Sequence, residues 1–480
     1  MITLINPPFH EKTTYYFNYV TAKYPNPSLA YLGGYLEKKG IPFRIIDAKF
    51  YDLSVEEVLE MLQATNPGII GITSTTTEIN HVQAMISRIK RCFPASFVLL
   101  GGVHATALPC ETLAANDDLD ALVAGEGESA LEMLAGSVDP YSVLPEIPGM
   151  YFRRGGRIVN SPPKVYGSGL EGYGKAAFHL WSKADRYFVS TYRGCPFPCS
   201  FCFRALGRSP RLRDPADVLE ELEYIATRAP GCDLLIVDAT FGLDRSHTEY
   251  ILKEIIRRGI NTRVGWRCAT RVDVVDRGFL ELMKAAGCRT VSFGIESGAD
   301  RILKATGKNT TVARCIEAVR EAKEVGLETV GYYLFGHPGE TKRELNDTLR
   351  LIWRMNCDNI AVGIMVPWPG TRVFDLARRN SGGYRLVSMD FSRFDKYFGS
   401  VMEFENFSLS YLEFMRLKAF VCLYLKNHRF LDLVRFLWSV RGAAFKKSRH
   451  LARRILGRGR YGGRGGSEDA GAASYTKGSS

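Results

Sequence analysis

The chain has 480 residues, 46% of them hydrophobic and 24% charged, a globular composition with length for two or three cores and too apolar for a disordered chain. A formal charge of +12 invites a polyanion-binding reading, but ten Lys/Arg against two acidic residues between Arg441 and Ser480 put +8 of it in that stretch. The eleven cysteines are an odd number, Met1–Pro8 lacks a charged and apolar leader, and no apolar run approaches the roughly 18 residues of a spanning helix, so a reducing cytoplasm is expected.

In chain order, Ile2–Ile5 is a short apolar run stopped by Asn6-Pro7-Pro8. Helical spacing over 28–39 has Ser28 as its cap and Gly40 as its stop, Phe43–Asp47 predicts a strand, and 54–63 predicts a helix capped by Ser54. Gly68–Ser74, Phe97–Gly101 and Ala121–Ala124 follow as strands with helical patterns between them. Continuous apolar strands alternating with amphipathic helices predict an α/β, doubly wound, Rossmann-like domain over residues 1–140. Such sheets bind ligands at the carboxyl ends of their strands. Small and hydroxyl residues gather there: Thr73-Ser74-Thr75-Thr76-Thr77, Gly101-Gly102-Val103-His104 and Gly125-Glu126-Gly127-Glu128.

Residues 141–186 carry Pro, Gly and short strand signals such as Gly149–Phe152, and read as a linker. A second series then gives strands at Phe188–Thr191, Leu234–Val237, Val264–Cys268, Thr290–Ile295, Thr329–Leu334 and Ile360–Val366. Six βα units are too few for a closed eight-stranded barrel and predict a partial (βα)6 barrel over 187–400, with its site at the strand C-termini. Aromatic-rich helices are expected over 401–456 as a C-terminal cap, and a disordered basic Gly-rich tail over 457–480.

The most informative stretch is Cys195-Pro-Phe-Pro-Cys199-Ser-Phe-Cys202, three thiols on a loop after a strand. Structural zinc takes four ligands, usually as two pairs, and no second Cys-x-x-Cys or His pair is present. A [4Fe–4S] cluster normally takes four cysteines, so three leave one iron open to another ligand. The Cys-x₃-Cys-x₂-Cys spacing, with Phe201 before the third cysteine, resembles the radical S-adenosylmethionine (SAM) superfamily. That resemblance implies metal ligands at Cys195, Cys199 and Cys202, with the open iron holding the amino and carboxylate groups of SAM. Motifs in the family's order follow: Asp238-Ala-Thr-Phe-Gly-Leu-Asp244, Cys268-Ala-Thr-Arg-Val-Asp273, Phe293-Gly-Ile-Glu-Ser-Gly298, Gly336-His-Pro-Gly-Glu-Thr341 and Val366-Pro-Trp-Pro-Gly-Thr371. SAM is a zwitterion with a sulfonium charge. Asp238 and Glu296 are therefore candidates for its ammonium or ribose hydroxyls, and Arg271 for its carboxylate. Phe201, Ser297 and Val366, the last near the adenine, complete the implied cofactor set.

A doubly wound domain ahead of such a core resembles the cobalamin-binding domain of the class B radical SAM enzymes. Ser74, Thr75, Gly101, Gly102, Gly125, Glu126 and Gly127 are the matching strand-end positions, where small residues let a corrin lie flat. No Gly-x-Gly-x-x-Gly follows the first strand, against a nicotinamide site. The Asp-x-His-x-x-Gly signature of an axial histidine is also missing, so His10 and His104 are expected to be loop histidines. The resemblance implies three cofactors: a [4Fe–4S] cluster, SAM and cobalamin. It implies methylation of an unactivated carbon, through hydrogen abstraction by a 5′-deoxyadenosyl radical and transfer from methylcobalamin. No protein group is nominated as catalytic beyond the cluster. The alternatives are a cobalamin-assisted radical oxidation, cyclisation or ring rearrangement, and a noncatalytic Fe–S or corrinoid sensor, against which the intact cysteine triplet argues. The expected partners are a small-molecule substrate, with a lipid, isoprenoid or tetrapyrrole in view, and an electron donor such as flavodoxin or ferredoxin. Cations interleaved with Phe420, Phe430, Phe436, Trp438 and Phe445 raise a peripheral membrane contact. Nucleic acid is not the expected partner, since Tyr461 is the one aromatic among the Arg-Gly pairs of the tail.

Overall fold

In the computed structural model, which describes residues 1–8, 23–167, 169–170, 172–395, 401–435 and 438, two largely parallel sheets follow one another along the chain. The first is built from β1 (Ile2–Asn6), β2 (Phe43–Asp47), β3 (Ile69–Thr73), β4 (Phe97–Gly101), β5 (Ala121–Val123), β6 (Met150–Arg154) and β7 (Arg157–Asn160), in the order β2-β1-β3-β4-β5-β6-β7. Every residue of β1 is buried, as an apolar strand covered on both faces must be. Parallel register sets Ile2 opposite both Phe43 and Ile69. The strand order reverses between β1 and β3, and the crevice outside their carboxyl ends is where an open sheet of this kind takes a ligand. His10 lies outside the described residues.

Local chemistry accounts for the helices. Asn26, and not Ser28, caps Pro27–Lys38: its side chain accepts the Leu29 amide, and Pro27 takes the first turn, where its missing N–H costs nothing. Ser54 and Glu57 form a full capping box at the start of Val55–Gln63. Residues 141–186, expected as a linker, instead supply β6 and β7, which pair antiparallel onto β5. A two-residue Gly155-Gly156 turn closes this hairpin, and Met150 and Phe152 are buried on its inner face. The alternation over so few residues is too short to separate a strand pair from a connection.

The second sheet contains β8 (Arg186–Val189), then a small hairpin of β9 (Tyr192–Arg193) and β10 (Arg211–Leu212), then β11 (Asp233–Ile236), β12 (Trp266–Thr270), β13 (Cys288–Glu296), β14 (Glu328–Phe335) and β15 (Asn359–Ile364). Its six parallel strands run β8-β11-β12-β13-β14-β15, an open partial barrel. Val291, Phe293 and Ile295 are fully buried on one face, and the alternate residues line the other. The amino ends are closed by charge: Asp233 accepts from Arg186 at 2.6 Å and from Arg267, while Glu328 accepts from Thr290 and Asn359 at 2.8 Å each. Chemistry is left to the carboxyl ends.

A last hairpin, β16 (Tyr384–Leu386) with β17 (Met402–Phe404), precedes helix Leu409–Lys426. The chain divides into compact units at 1–423 and 424–480. Residues 439–456 of the expected helical cap and the 457–480 tail lie outside the described residues. No helix among the described residues is long and apolar enough to cross a membrane.

Candidate functional site

The cysteine loop hangs from the hairpin of β9 and β10, where Arg193 pairs with Arg211 and Tyr192 with Leu212. Gly194 makes the closure possible. Its φ is +94°, and a Cβ there would fall 2.2 Å from the Ser209 carbonyl oxygen. Inside the loop, the Cys195 amide donates to Gly207 O at 3.2 Å and the Cys202 amide to Cys199 O at 3.2 Å. The Ser200 amide donates to Thr306 O at 2.9 Å, and Ser200 O accepts from the Val373 amide at 3.1 Å. The loop is thereby stitched to segments following β13 and β15. Cys195 and Cys199 are half-buried and Cys202 is exposed. Among the described residues no group of three or more His, Cys, Asp or Glu side chains can hold a single metal ion. A cluster gives each thiolate a separate iron, so it does not require such convergence, whereas zinc does.

Around the loop, the rim of the second sheet supplies charge. Glu296 sits where the register of β13 against β14 shifts, with a φ of +68°, a strained position for a residue with a Cβ. The bulge aims its carboxylate at Lys308 Nζ, 3.1 Å away, and both side chains are nearly buried. Arg271 is buried: Nε and Nη2 donate to Asp273 at 2.8 and 2.6 Å, and Nη2 donates to Lys308 O at 2.5 Å. Its guanidinium lies 3.8 Å from the ring centroid of Phe197, inside the cysteine loop. Burial pushes the Cys199 thiol up, and Lys308 and Arg271 pull it back, so these cations favour the thiolate.

Two buried polar atoms here lack partners among the described residues: Arg271 Nη1 and Ser200 Oγ. Unpaired buried donors are costly, and their gathering beside a three-cysteine loop fits a ligand with a carboxylate and further polar groups. Burial pushes the His337 imidazole down to about 4, so it is neutral, and Phe201 meets its ring edge-on with centroids 5.8 Å apart. Lys308 and His337 escaped the sequence reading. His337 lay inside a quoted motif, but Lys308 sat in a turn with no pattern to mark it.

Two further sequence candidates hold backbone. Asp238 accepts from Thr191 Oγ1 at 2.6 Å, the Thr191 amide at 2.7 Å, Ser190 Oγ at 3.1 Å and the Tyr192 amide at 3.4 Å, fixing the turn from β8 into β9. Burial raises its carboxyl above the usual range against those bonds. Ser297 is fully buried, with Oγ 3.4 Å from Thr348 Oγ1 and accepting the Ala299 amide at 3.3 Å. Val366 packs with Leu108, Phe374, Phe394 and Val401, an apolar cluster bridging the two sheets' domains.

The strand-end edge of the first sheet is made differently. Ser74 follows β3 directly, with its buried Oγ unpartnered. Gly102, with φ +98°, passes so close that a Cβ would fall 2.6 Å from Ser74 O. Thr75 is exposed and donates to Glu78 at 2.7 Å. The Gly125 amide donates to Thr106 Oγ1 at 2.9 Å, and Gly127 borders Leu32. Gly125 is covered by Tyr166, whose hydroxyl a Cβ would meet at 2.4 Å. With no side chain at Gly101, Gly102 or Gly127, and the Ser74 hydroxyl unpartnered, the rest of this edge suits a broad flat ligand. Glu126 does not face it: its carboxylate is forked by Arg211 at 2.8 and 2.7 Å. His104 is buried, 3.3 Å from Thr76 Oγ1 and edge-on to Phe391, and burial pushes its imidazole down to about 4.

The chain matches the Radical SAM superfamily over residues 189–352 and the B12 binding domain over residues 15–135. It is 29% identical over 411 residues to an uncharacterized methyltransferase of Pyrococcus horikoshii, covering 84% of this chain and 88% of that protein. It is 28% identical over 374 residues to the anaerobic magnesium-protoporphyrin IX monomethyl ester cyclase of Cereibacter sphaeroides, covering 75% of this chain and 61% of the cyclase. The radical SAM methyltransferase TsrM of Kitasatospora setae, solved with cobalamin and a [4Fe–4S] cluster, has the same fold: the TM-score is 0.69 at 19% identity, over 88% of each chain. A cobalamin-binding domain followed by a radical SAM domain defines one class of enzyme, and this chain belongs to it, the class B radical SAM enzymes, whose cofactors are a [4Fe–4S] cluster, SAM and cobalamin.

Proposed function

We propose that the protein methylates an unactivated carbon of a small molecule. When bound, the cofactors supply a hydrogen-abstracting radical, made from SAM by one electron, and a methyl donor. The residues position and shield. Cys195, Cys199 and Cys202 would hold the cluster. Arg271 and Lys308 would face the carboxylate of SAM and Glu296 its ammonium, while neutral His337 offers a donor and an acceptor. Ser74, Gly101 and Gly102 would carry the corrin edge. The apolar cluster of Val366, Leu108, Phe374 and Phe394 keeps water from between the domains, where a radical must not be quenched. No protein nucleophile or general base is needed.

The observation that carries this reading is the pair of domains on one chain, together with a 29% identical match that covers 88% of an uncharacterized methyltransferase. The test is anaerobic turnover with SAM, a low-potential donor such as flavodoxin or ferredoxin, and candidate substrates. Equal amounts of 5′-deoxyadenosine and S-adenosylhomocysteine, with the label of methyl-labelled SAM in product, are expected. Deoxyadenosine without S-adenosylhomocysteine would reject methylation in favour of radical oxidation or cyclisation, the second reading, which the cyclase match favours.

We also infer that the C-terminal region touches a membrane surface peripherally. Phe430, Leu431, Val434 and Trp438 are exposed among Lys426, Arg429 and Arg435, a mixture suited to anionic headgroups. The full chain is expected to float with anionic liposomes, and a chain ending at Leu425, which lacks these residues, to float less; equal flotation rejects the contact.

A further inference from the structure

The loop that follows β5 reaches past its own sheet into the base of the cysteine loop. The Glu126 side chain is 1% exposed. Beyond the fork from Arg211, Oε1 accepts from Arg193 Nη1 at 3.0 Å, and the same Nη1 donates to Glu128 Oε1 at 2.7 Å. Tyr173 donates to Glu126 Oε2 at 3.4 Å, and Lys164 Nζ donates to Glu126 O at 2.6 Å. Arg193 belongs to β9 and Arg211 to β10, the two strands whose pairing closes the cysteine loop.

From Arg211 the contacts run on into that loop. Its Nη2 donates to Leu206 O at 3.0 Å, and its guanidinium stacks 4.4 Å above the ring of Tyr166. Tyr166 donates to Ala205 O at 3.3 Å, and its ring lies against Gly207, whose carbonyl accepts the Cys195 amide. A continuous set of contacts, buried at Glu126 and Arg211 and partly buried beyond them, therefore leads from a carboxylate of the first domain to the backbone beside Cys195. Holding two domains together does not require this arrangement. Well-packed apolar side chains commonly do as well as buried ion pairs, whose best-attested use is to specify one arrangement. The forked geometry here sets the spacing of Arg193 and Arg211 across the hairpin.

We propose that Glu126 is a positioning residue for the iron–sulfur cluster: through Arg193 and Arg211 it holds the cysteine loop in its cluster-binding shape, so that the first domain takes part in retaining the cluster. The inference rests on the cluster assignment and is independent of whether the product is methylated.

The test uses the full chain, reconstituted anaerobically. Glu126→Gln keeps the shape and removes the charge, and Tyr166→Phe removes only the bond to Ala205 O. Iron release to a chelator and the electron paramagnetic resonance spectrum of the reduced cluster are read, with thermal unfolding of the iron-free chain measured in parallel. Direct outer partners of metal ligands alter metal affinity roughly 10- to 100-fold, and since Glu126 acts through Arg193 and Arg211, release from Glu126→Gln is expected to quicken by up to about 10-fold, the low end of that range, with a changed spectrum. Tyr166→Phe is expected to change both in the same direction by a smaller factor. A purely structural ion pair would lower the unfolding temperature and leave release and spectrum as in the wild type. That result in folded Glu126→Gln, or in Tyr166→Phe should Glu126→Gln fail to fold, overturns the proposal.

Discussion

The two strand-end edges are made of opposite materials. The rim of the second sheet carries Arg271, Lys308, Glu296 and Asp273, nearly all paired with one another, yet it leaves Arg271 Nη1 and Ser200 Oγ unpartnered. The edge of the first sheet presents glycines and one free hydroxyl, and its one buried carboxylate pair, Glu126 and Glu128, faces the cysteine hairpin instead. A small zwitterion is recognised atom by atom, so its site must hold charges at fixed points. A broad flat ligand is recognised by surface, so its site must clear side chains away.

Several substitutions break or sharpen that contrast. The largest effect is expected from Cys199→Ala, which removes one of the three proposed cluster ligands: iron, the cluster spectrum and SAM cleavage should all be lost from a folded chain. Arg271→Lys keeps charge but loses the fork. Hydrogen bonds to charged groups contribute about 1.5–3 kcal/mol, so SAM should bind roughly 10- to 100-fold more weakly by equilibrium dialysis, with cobalamin retention unchanged. Retention of both ligands at wild-type strength would erase the distinction between the edges.

On the first sheet, His104 titrates near 4 when folded and near its ordinary 6.5 when unfolded. The unfolded chain therefore binds the extra proton between those values. Stability is full above about pH 6.5 and falls toward pH 4, by about 3 kcal/mol in all. His104→Asn should flatten that part of the pH dependence of thermal unfolding, while a cobalt ligand at this position would show instead as altered cobalamin absorbance. Gly102→Ala forces a Cβ against the Ser74 backbone at positive φ and should cost about 1–3 kcal/mol. Cobalamin retention should fall with it, and SAM binding should not. Ser54→Ala, far from both edges, removes a capping box and should cost about 1 kcal/mol in thermal unfolding, leaving both ligands alone.

Much of this architecture was legible in local patterns. Phe43–Asp47 and Phe97–Gly101 were bounded to the residue, because a short apolar run ending in glycine or acid has few alternatives. The strands of the second sheet were found with ends shifted by up to about two residues, since their flanks carry mixed signals. Within the expected linker the strand signal at Gly149–Phe152 overlaps β6, but its pairing with β7 and β5 was not read because the alternation is too brief. Asp238 was read as a ligand contact, and its carboxylate is taken by four bonds from residues 190–192, forty-odd positions away.

Chemistry that depends on spacing along the chain was determined by sequence alone: three cysteines within eight residues, glycines where strands end, and two series of βα units. What tertiary structure decided is where each charge points. Glu126 sits in a strand-end cluster that reads as part of a corrin site, but folding brings Arg193 and Arg211 to it from 67 and 85 residues away, and a buried carboxylate turns to the cations it finds there. Lys308 and His337 gained their places in the same way, from a turn and a loop that are neighbours only once the strands are side by side. The eleven cysteines of the opening count separate on the same ground: Cys195, Cys199 and Cys202 share a loop that is half-buried to exposed, while five of the rest are buried in the packed core.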